Sequence, residues 1–217
     1  MRISKLAPSK RVKDRWLVYL ENGEILRISE NEIADFGLYG GLDLPPDRLE
    51  ALTQAAGTSA VKAKALDLIA SKPMSRKELV DKLTAPVRSR EGMKPPRFTP
   101  EQAELAADWL ADLGYLNDAD YARLVVRHYS AKQWGPARLR QELYRHGVPR
   151  EYWEEALEEA EEPADGIEAF LASRFRRGQP DEKERRRAAD ALARRGYRWE
   201  DIRSAMSRYE HPEEEWD

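Results

Sequence analysis

The 217-residue sequence contains no cysteine. Disulfide bridges, thiolate metal sites and cysteine nucleophiles are therefore excluded, and a reducing compartment, the cytoplasm, is the expected location. Histidine is also scarce, and His128, His146 and His211 lack the spacing of a metal site. No stretch approaches the roughly 18 apolar residues of a membrane span. The N-terminus has no apolar core of a signal peptide, so neither a membrane segment nor a leader is expected.

Patterns of catalytic residues are missing as well. The sequence contains neither HExxH nor GxSxG, and its glycine-rich phrase GLYGG at 37–41 lacks the Lys-Ser/Thr of a phosphate-binding loop. Carboxylates are abundant, but they lie on polar helix faces without partners for general acid–base work. The sequence therefore predicts a protein that is not an enzyme and needs no cofactor or metal.

Charge is what the sequence has in excess. Charged residues make up 35% and hydrophobic residues 41%, with a mean hydropathy of −0.78, which is typical of a helical protein with long solvated faces. The net charge of −3 is unevenly distributed, because residues 151–162 are acidic and residues 174–195 are rich in arginine. A polyanionic partner would have to contact a local basic face.

The first sixty residues differ in pattern from the rest. The β-prone runs RWLVYL and EILRI are separated by Asn22-Gly23, a pair that favours a tight hairpin turn. Ser29 followed by Glu32 predicts a capping box at the start of a short helix. We therefore predict that residues 1–57 form a small module with a β-hairpin and short helices.

Helical patterning begins at Ser59, and one phrase occurs twice. LYRHGVPREYWEEAL at 143–157 returns 49 positions later as LARRGYRWEDIRSAM at 192–206. Gly147 and Gly196, each followed by an apolar or aromatic residue, predict left-handed helix C-caps. A recurring unit of this length predicts tandem three-helix repeats, each burying its apolar face partly on a neighbour.

The predicted fold is mainly α-helical, with three tandem three-helix repeats behind the N-terminal module. The repeats are assigned to residues 59–114, 118–161 and 164–209. A proline-rich insertion at 85–98 interrupts the first repeat, and an acidic tail at 210–217 follows the third. The repeat boundary at Ser59 predicts separate helices before and after it.

The basic residues near the repeated glycines have two interpretations. Cations in the last turn of a helix suit the negative end of its dipole, and a run of charge is commonly a solvated face. Arginines displayed at the corner of each repeat also suit carboxylate and phosphate contacts. The residues alone leave both interpretations open.

Several phrases together resemble the RecX family of regulators of the RecA recombinase. The similarity covers about residues 60–209, and the segment 14–42 is similar to the extra N-terminal module of longer family members. The phrases that carry it, in order, are Ala65–Ile69, Ser75–Leu79, Leu113–Asp118, Gly135-Pro136, Leu139–Leu143, Gly147-Val148 and Leu192–Tyr197.

The resemblance implies a non-enzymatic regulator, built as a curved, elongated stack of three-helix repeats, that binds RecA and its single-stranded DNA filament. It implies inhibition of filament growth, strand exchange, ATPase and SOS co-protease activity, and hence a part in DNA repair, recombination and the SOS response. Weak DNA binding and a monomeric state are expected. On this hypothesis the cations that face RecA or DNA are Lys132, Arg138, Arg140, Arg145, Arg185, Arg186, Arg194 and Arg195.

Two alternatives stay open at the level of sequence. One is a stand-alone DNA-binding protein of helix-turn-helix type, and the other is a helical-repeat adaptor whose basic face is merely solvated. The sequence also departs from the family pattern. The insertion at 85–98 stands where the family has a short turn, and Ala137 stands where a basic residue is common.

Overall fold

The computed structural model describes residues 1–10, 12, 14–89, 92–160, 162–176 and 180–210. About 60% of the chain is helical and the β-structure lies mainly at the N-terminus, so the predicted fold class is confirmed. The predicted acidic tail lies outside the described residues apart from Glu210, as does Arg90 in the insertion. The chain divides into two compact units, Met1–Pro73 with Leu79–Leu116, and Met74–Glu78 with Asn117 onward.

The first unit begins with a three-stranded antiparallel sheet in the order β1-β2-β3. The strands are Ile3–Pro8 (β1), Arg15–Leu20 (β2) and Ile25–Ser29 (β3). The predicted hairpin is confirmed, and Gly23 at its turn has a φ of +86°. The sequence analysis missed β1, because its short run ISKLAP gains its strand conformation from pairing with β2.

Helices complete the first unit. They are Glu30–Asp35 (α1), Pro46–Ser71 (α2), Arg76–Leu83 (α3, whose first turn belongs to the second unit) and Pro100–Asp112 (α4). Ser29 and Glu32 form the predicted capping box at α1.

The prediction of separate helices on either side of Ser59 is wrong, because α2 is continuous through it. Gly57 lies within α2 at a close approach to α4, where an added Cβ would be 2.9 Å from Nε2 of Gln102. The nearest atom is the movable end of the Gln102 side chain, so Gly57 marks a close approach of α4 without ending the helix.

The insertion also contains structure that the sequence did not predict. Val87–Ser89 (β4) and Gly92–Lys94 (β5) pair as a small antiparallel hairpin, whereas the sequence predicts an irregular loop. The core of the unit lies elsewhere, between the sheet and α2, where Val18, Leu44 and Leu52 are fully buried.

The second unit contains two groups of three helices. The first group comprises Asp118–Ser130 (α5), Pro136–Arg145 (α6), a 3-10 turn at Arg150–Tyr152 and Trp153–Glu158 (α7). The second comprises Pro163–Arg174 (α8), Glu182–Arg194 (α9) and Trp199–Glu210 (α10). Each group has its own core, centred on Leu139 and Leu143 in the first and on Leu171 and Leu192 in the second.

The repeated glycines adopt the predicted left-handed conformation, with φ of +68° at Gly147 and +90° at Gly196. The N–H of Val148 donates to the carbonyl of Leu143 at 3.0 Å, and that of Tyr197 to Leu192 at 3.3 Å. This pattern closes the carbonyl end of each helix. The predicted C-caps are confirmed.

Candidate interaction surface

The glycine turn after α9 receives the beginning of α6. The N–H of Gly135 donates to the carbonyl of Arg195 at 2.8 Å, and the N–H of Ala137 donates to that of Gly196 at 3.2 Å. An added Cβ on Gly135 would lie 2.6 Å from the carbonyl of Gly196, so only glycine permits this approach. Free amides at the start of one helix thereby satisfy free carbonyls at the end of another.

The glycine turn after α6 is met in the same way by the segment Met74–Glu78. The hydroxyl of Ser75 donates to the carbonyl of His146 at 2.6 Å and accepts from the N–H of Glu78 at 3.1 Å. Ser75 is fully buried. The N–H of Arg76 donates to Asp118 at 2.8 Å, which adds a second connection. The phrase that occurs twice in the sequence therefore marks two equivalent docking points.

Arg195, one of the predicted contact residues, fastens the loop between α5 and α6. Its Nη1 donates to the carbonyl of Lys132 at 3.2 Å and to that of Gln133 at 3.4 Å. Its guanidinium also lies 4.7 Å from the ring centroid of Phe170. Gln133 has a φ of +57°, an unusual conformation that these contacts hold in place. Arg195 is thus a positioning residue for the loop.

The loop and the end of α5 carry a cluster of aromatic rings and cations. Tyr129 and Trp134 are stacked with their centroids 4.7 Å apart. Nζ of Lys132 lies 4.6 Å from the Tyr129 ring, and the guanidinium of Arg138 lies 4.8 Å from the Trp134 ring. His128 packs edge-on to Tyr129. We call these five residues the cation–aromatic cluster. It brings together Lys132 and Arg138 from the predicted set.

The cations of this cluster were predicted from the sequence, but its aromatic members were not. Trp134 is half-buried, packs against the core of this helical group and stacks on Tyr129. The available signal was the spacing of two aromatic and two basic residues within ten positions. That spacing acquires meaning only when the loop folds back on the helix.

Arg138 and Arg145 share a buried carboxylate. Glu142 is only 2% exposed, and its two oxygens lie 3.5 Å from Arg138 and 3.2 Å from Arg145. Because burial of an unpaired carboxylate is costly, the two arginines are needed to neutralise Glu142. Their charge toward an external anion is reduced accordingly.

Arg140 is also paired, in a groove between the two helical groups of this unit. Its guanidinium binds Glu154 through both oxygens, at 2.9 and 3.2 Å, and this hydrogen bonding lowers the pKa of Glu154. The groove has a volume of about 520 Å³. Its charged lining residues are Arg140, Arg198, Glu154, Glu158, Glu162 and Asp201. With four carboxylates against two guanidiniums, the groove suits a basic segment better than a phosphate.

The remaining predicted cations lie on α9. Arg185 is half-buried and makes contacts of its own, whereas Arg186 and Arg194 are exposed. Among the described residues, neither Arg186 nor Arg194 has an ion-pair partner. Lys132 also lacks a carboxylate partner among the described residues, and its contacts are with His128 and the rings of Tyr129 and Trp134. The structure thus separates the eight predicted residues by availability.

A second polar group lies behind the docking point at Gly147. The hydroxyl of Tyr121 is 3.1 Å from Nδ1 of His146, and Tyr121 is only 6% exposed. Burial, with the nearby carboxylate of Glu78, raises the pKa of Tyr121 to about 12. Burial likewise raises the pKa of Asp118. These groups stabilise the contact between the first turn of α3 and the end of α6.

Across the described parts of the chain, no group of three or more acidic or histidine side chains is arranged to hold a metal ion. None of the described helices is long and apolar enough to cross a membrane.

Comparisons with known proteins agree on one family. Family models match two segments, residues 117–157 as the second three-helix domain of RecX and residues 160–206 as the third. The regulatory protein RecX of Xanthomonas axonopodis pv. citri is 36% identical over 144 residues, which cover 65% of this chain and 83% of that protein. That of Shigella boydii serotype 18 is 35% identical over 98 residues, 45% of this chain and 59% of its own.

Solved structures show the same fold. A crystal structure of regulatory protein RecX superposes with a TM-score of 0.67 and 22% identity, over 95% of this chain and 98% of that one. RecX from Lactobacillus salivarius gives a TM-score of 0.59 with 21% identity, over 72% of this chain and 98% of its own. At this identity the structural similarity shows the fold, and the similarity to the sequence relatives shows the family. The chain belongs to the RecX family of regulatory proteins.

Proposed function

We propose that this chain binds RecA and its single-stranded DNA filament and inhibits filament growth, strand exchange, ATP hydrolysis and SOS co-protease activity. The proposal includes a monomeric cytoplasmic protein that acts by binding, without catalysis or a cofactor, in DNA repair and recombination. It also retains the predicted curved stack, with repeat boundaries at 59–114, 118–161 and 164–209.

The observation that carries the proposal is the cation–aromatic cluster, in a chain of the RecX family. A filament on single-stranded DNA offers phosphates and unpaired bases, and cations beside aromatic rings suit both. In the stacked pair, Lys132 lies over the ring of Tyr129 and Arg138 lies over the ring of Trp134. Because Arg195 fixes the loop from behind, the cluster is ordered before a partner arrives, which lowers the entropic cost of binding.

The pairing of the cations refines the predicted contact set. Lys132, Arg186 and Arg194 have no carboxylate partner among the described residues, so contact with an external anion requires no internal ion pair to break. Arg138, Arg140 and Arg145 are engaged with Glu142 or Glu154. We therefore assign the larger share of binding free energy to the first three and a smaller share to the paired arginines.

A RecA ATPase assay on single-stranded DNA tests this assignment. Replacing Lys132, Arg186 and Arg194 with Gln should raise the concentration for half-inhibition about tenfold or more, since each lost charge contact contributes on the order of 1 kcal/mol. The matched control replaces Lys64, Arg174 and Arg203, three exposed cations outside the set, with Gln. Equal inhibition by the two triple variants would contradict the assignment.

A direct DNA-binding role without RecA is distinguished in the same samples. The assay is repeated with an unrelated DNA-dependent ATPase in place of RecA. Cluster-dependent inhibition of RecA alone supports recognition of the filament. Equal inhibition of both ATPases would instead indicate that the chain acts by covering DNA.

A further inference from the structure

The N-terminal sheet presents a basic outer face that the proposed function does not use. The three strands contain no Asp or Glu, while each contributes one cation, Lys5 from β1, Arg15 from β2 and Arg27 from β3. Because side chains alternate along a strand, only half of each strand's residues point away from the core. Which half carries the cations follows from the register.

The register places all three cations on the face opposite the core. In β2, Val18 and Leu20 are buried in the core, so the odd-numbered residues, including Arg15 and Tyr19, point the other way. Lys5 pairs directly with Tyr19. Arg27 pairs with Leu17, one step along the same face from Arg15. Nζ of Lys5 lies 5.9 Å from the Tyr19 ring.

A fourth cation reaches this face from the end of the insertion. Arg97 follows the β4–β5 hairpin, and its guanidinium lies 5.0 Å from the ring of Phe98, a buried residue that anchors the segment. Partial burial and the positive charges of Arg15 and Arg27 lower the pKa of Arg97. The guanidinium of Arg97 therefore lies close enough to Arg15 and Arg27 to be repelled by both.

No internal anion relieves this repulsion in the described parts of the chain. Lys5, Arg15, Arg27 and Arg97 make no salt bridge there with a carboxylate. The sequence around them is also strongly basic, because residues 1–29 and 85–99 together hold eleven Lys or Arg and four Asp or Glu in a chain of net charge −3. Unpaired guanidiniums held together are most stable when an anion lies between them.

The layout of the face favours nucleic acid over a single phosphorylated residue. The cations extend across three strands, and Arg15 and Tyr19 are four residues apart on β2, about 13 Å at the usual rise of a strand. That span matches several phosphates rather than one. Tyr19 on the same face offers a ring on which a base can stack, as on the sheets of known single-strand-binding modules.

We propose that the outer face of the N-terminal sheet, formed by Lys5, Arg15, Tyr19 and Arg27 with Arg97 beside it, binds the phosphate backbone of single-stranded DNA, and that Tyr19 stacks on a base. This sheet face is a binding site separate from the cation–aromatic cluster. It gives the insertion at 85–98 a role in bringing Arg97 to the DNA. The inference does not depend on RecA, so it is tested without it.

The test measures binding of the full chain to a fluorescein-labelled oligo(dT) of about 20 nucleotides by anisotropy, across a range of KCl concentrations. Each phosphate contact contributes about 0.7 to the slope of log affinity against log salt. Replacing Arg15, Arg27 and Arg97 with Gln should reduce that slope by about 2 and weaken binding at low salt at least tenfold. The control with Lys64, Arg174 and Arg203 replaced by Gln should keep the wild-type slope, and circular dichroism confirms that both variants are folded.

A second variant separates bases from phosphates. Tyr19→Leu should weaken oligo(dT) binding about fivefold or more, since stacking on one ring contributes at least about 1 kcal/mol per base. It should leave binding of inorganic polyphosphate, which has no bases, unchanged.

Three results would overturn the inference. They are an oligo(dT) slope that the sheet triple variant leaves unchanged, an equal effect of Tyr19→Leu on both ligands, and stronger binding of a phosphoserine peptide than of oligo(dT). If the slope is unchanged while RecA ATPase is still inhibited, the sheet face fails and the proposed function stands. If the slope falls as expected while the wild-type chain leaves RecA ATPase unaffected, the sheet face stands and the proposed function fails.

Discussion

At the scale of single residues, the glycine turns differ in how closely another part of the chain approaches them. Gly114, Gly147 and Gly196 all have positive φ, between +68° and +90°. An added Cβ would meet nothing within 4 Å at Gly114, Lys77 Cβ at 3.1 Å at Gly147, and the backbone nitrogen of Arg138 at 2.5 Å at Gly196. The left-handed conformation costs about 1–2 kcal/mol for alanine, and overpacking adds roughly 1–3 kcal/mol.

Alanine substitutions should therefore destabilise in the order Gly114, Gly147, Gly196. We expect losses of about 1, 2 and 3–4 kcal/mol in the free energy of unfolding, measured by urea denaturation. Gly147 and Gly196 belong to the same unit, so the difference between their losses in free energy of unfolding is the decisive comparison. Equal losses at these two positions would show that the docking of α6 on the Gly196 turn contributes little.

Tyr121 gives a pH dependence of its own. Its pKa is raised from an ordinary value near 10 to about 12 in the folded chain, first because it is buried. The neutral phenol therefore stabilises the fold below pH 10, and this contribution is lost as the pH rises from 10 to 12. Because the native state resists losing the proton, the unfolded state gains by ionising first.

Tyr121→Phe removes this contribution to the pH dependence. The free energy of unfolding of the wild type should fall by about 1–2 kcal/mol more than that of the variant between pH 9 and 12. Parallel curves for the two proteins would rule out a raised pKa at this position. Tyr152, whose pKa is also raised, is present in both proteins and cancels in the comparison.

The roles of single residues could be predicted from the sequence where they depend on near neighbours in the chain. Ser29, Gly147 and Gly196 were predicted correctly, because caps depend on a few neighbouring residues. The partners of the arginines were not predictable in this way. Arg140 binds the carboxylate of Glu154, 14 positions away, and Arg195 donates to the carbonyl of Lys132, 63 positions away. Only the folded chain therefore shows which cations have partners.

At the scale of helices and strands, the junctions are made by helix ends. Ser75 caps the start of α3 by accepting from Glu78, and it also donates to the carbonyl of His146 at the end of α6. Asn117 caps α5 but bonds only within its own first turn. Ser75→Ala should therefore cost about 2–3 kcal/mol and Asn117→Ala about 1 kcal/mol in the free energy of unfolding.

Urea denaturation of the two alanine variants makes this comparison within one unit. The larger cost at Ser75 has a physical cause, since the substitution leaves a buried carbonyl unpaired as well as removing a cap. A cost at Asn117 equal to or above that at Ser75 would count against the junction as a source of stability.

Elements that depend on distant partners were the ones the sequence missed. The segment Ile3–Pro8 forms the strand β1 because it pairs with β2. The helix α2 continues through Gly57, where α4 packs against it. The small hairpin β4–β5 lacks the alternating apolar pattern by which strands are recognised. By contrast, the hairpin at Asn22-Gly23 was predictable, since its turn chemistry and flanking strands lie within about fifteen residues.

At the scale of the whole molecule, a net charge of −3 conceals two separate basic regions. One is the outer face of the N-terminal sheet, and the other is the cation–aromatic cluster with the exposed arginines of α9. Between the helical groups of the second unit lies an acidic groove. The proposed binding to a nucleoprotein filament requires contact with protein and DNA together, and surfaces of opposite charge suit that task.

Inhibition of RecA is the proposed function, and a titration of RecA's single-stranded DNA-dependent ATPase is its clearest test. Purified chain added to preformed filaments should inhibit ATP hydrolysis at ratios well below one molecule per RecA, because a bound regulator acts on the growth of a whole filament. The variant with Lys132, Arg186 and Arg194 replaced by Gln should require more protein for the same effect. ATP hydrolysis that continues unchanged at an equimolar ratio of chain to RecA would contradict the account.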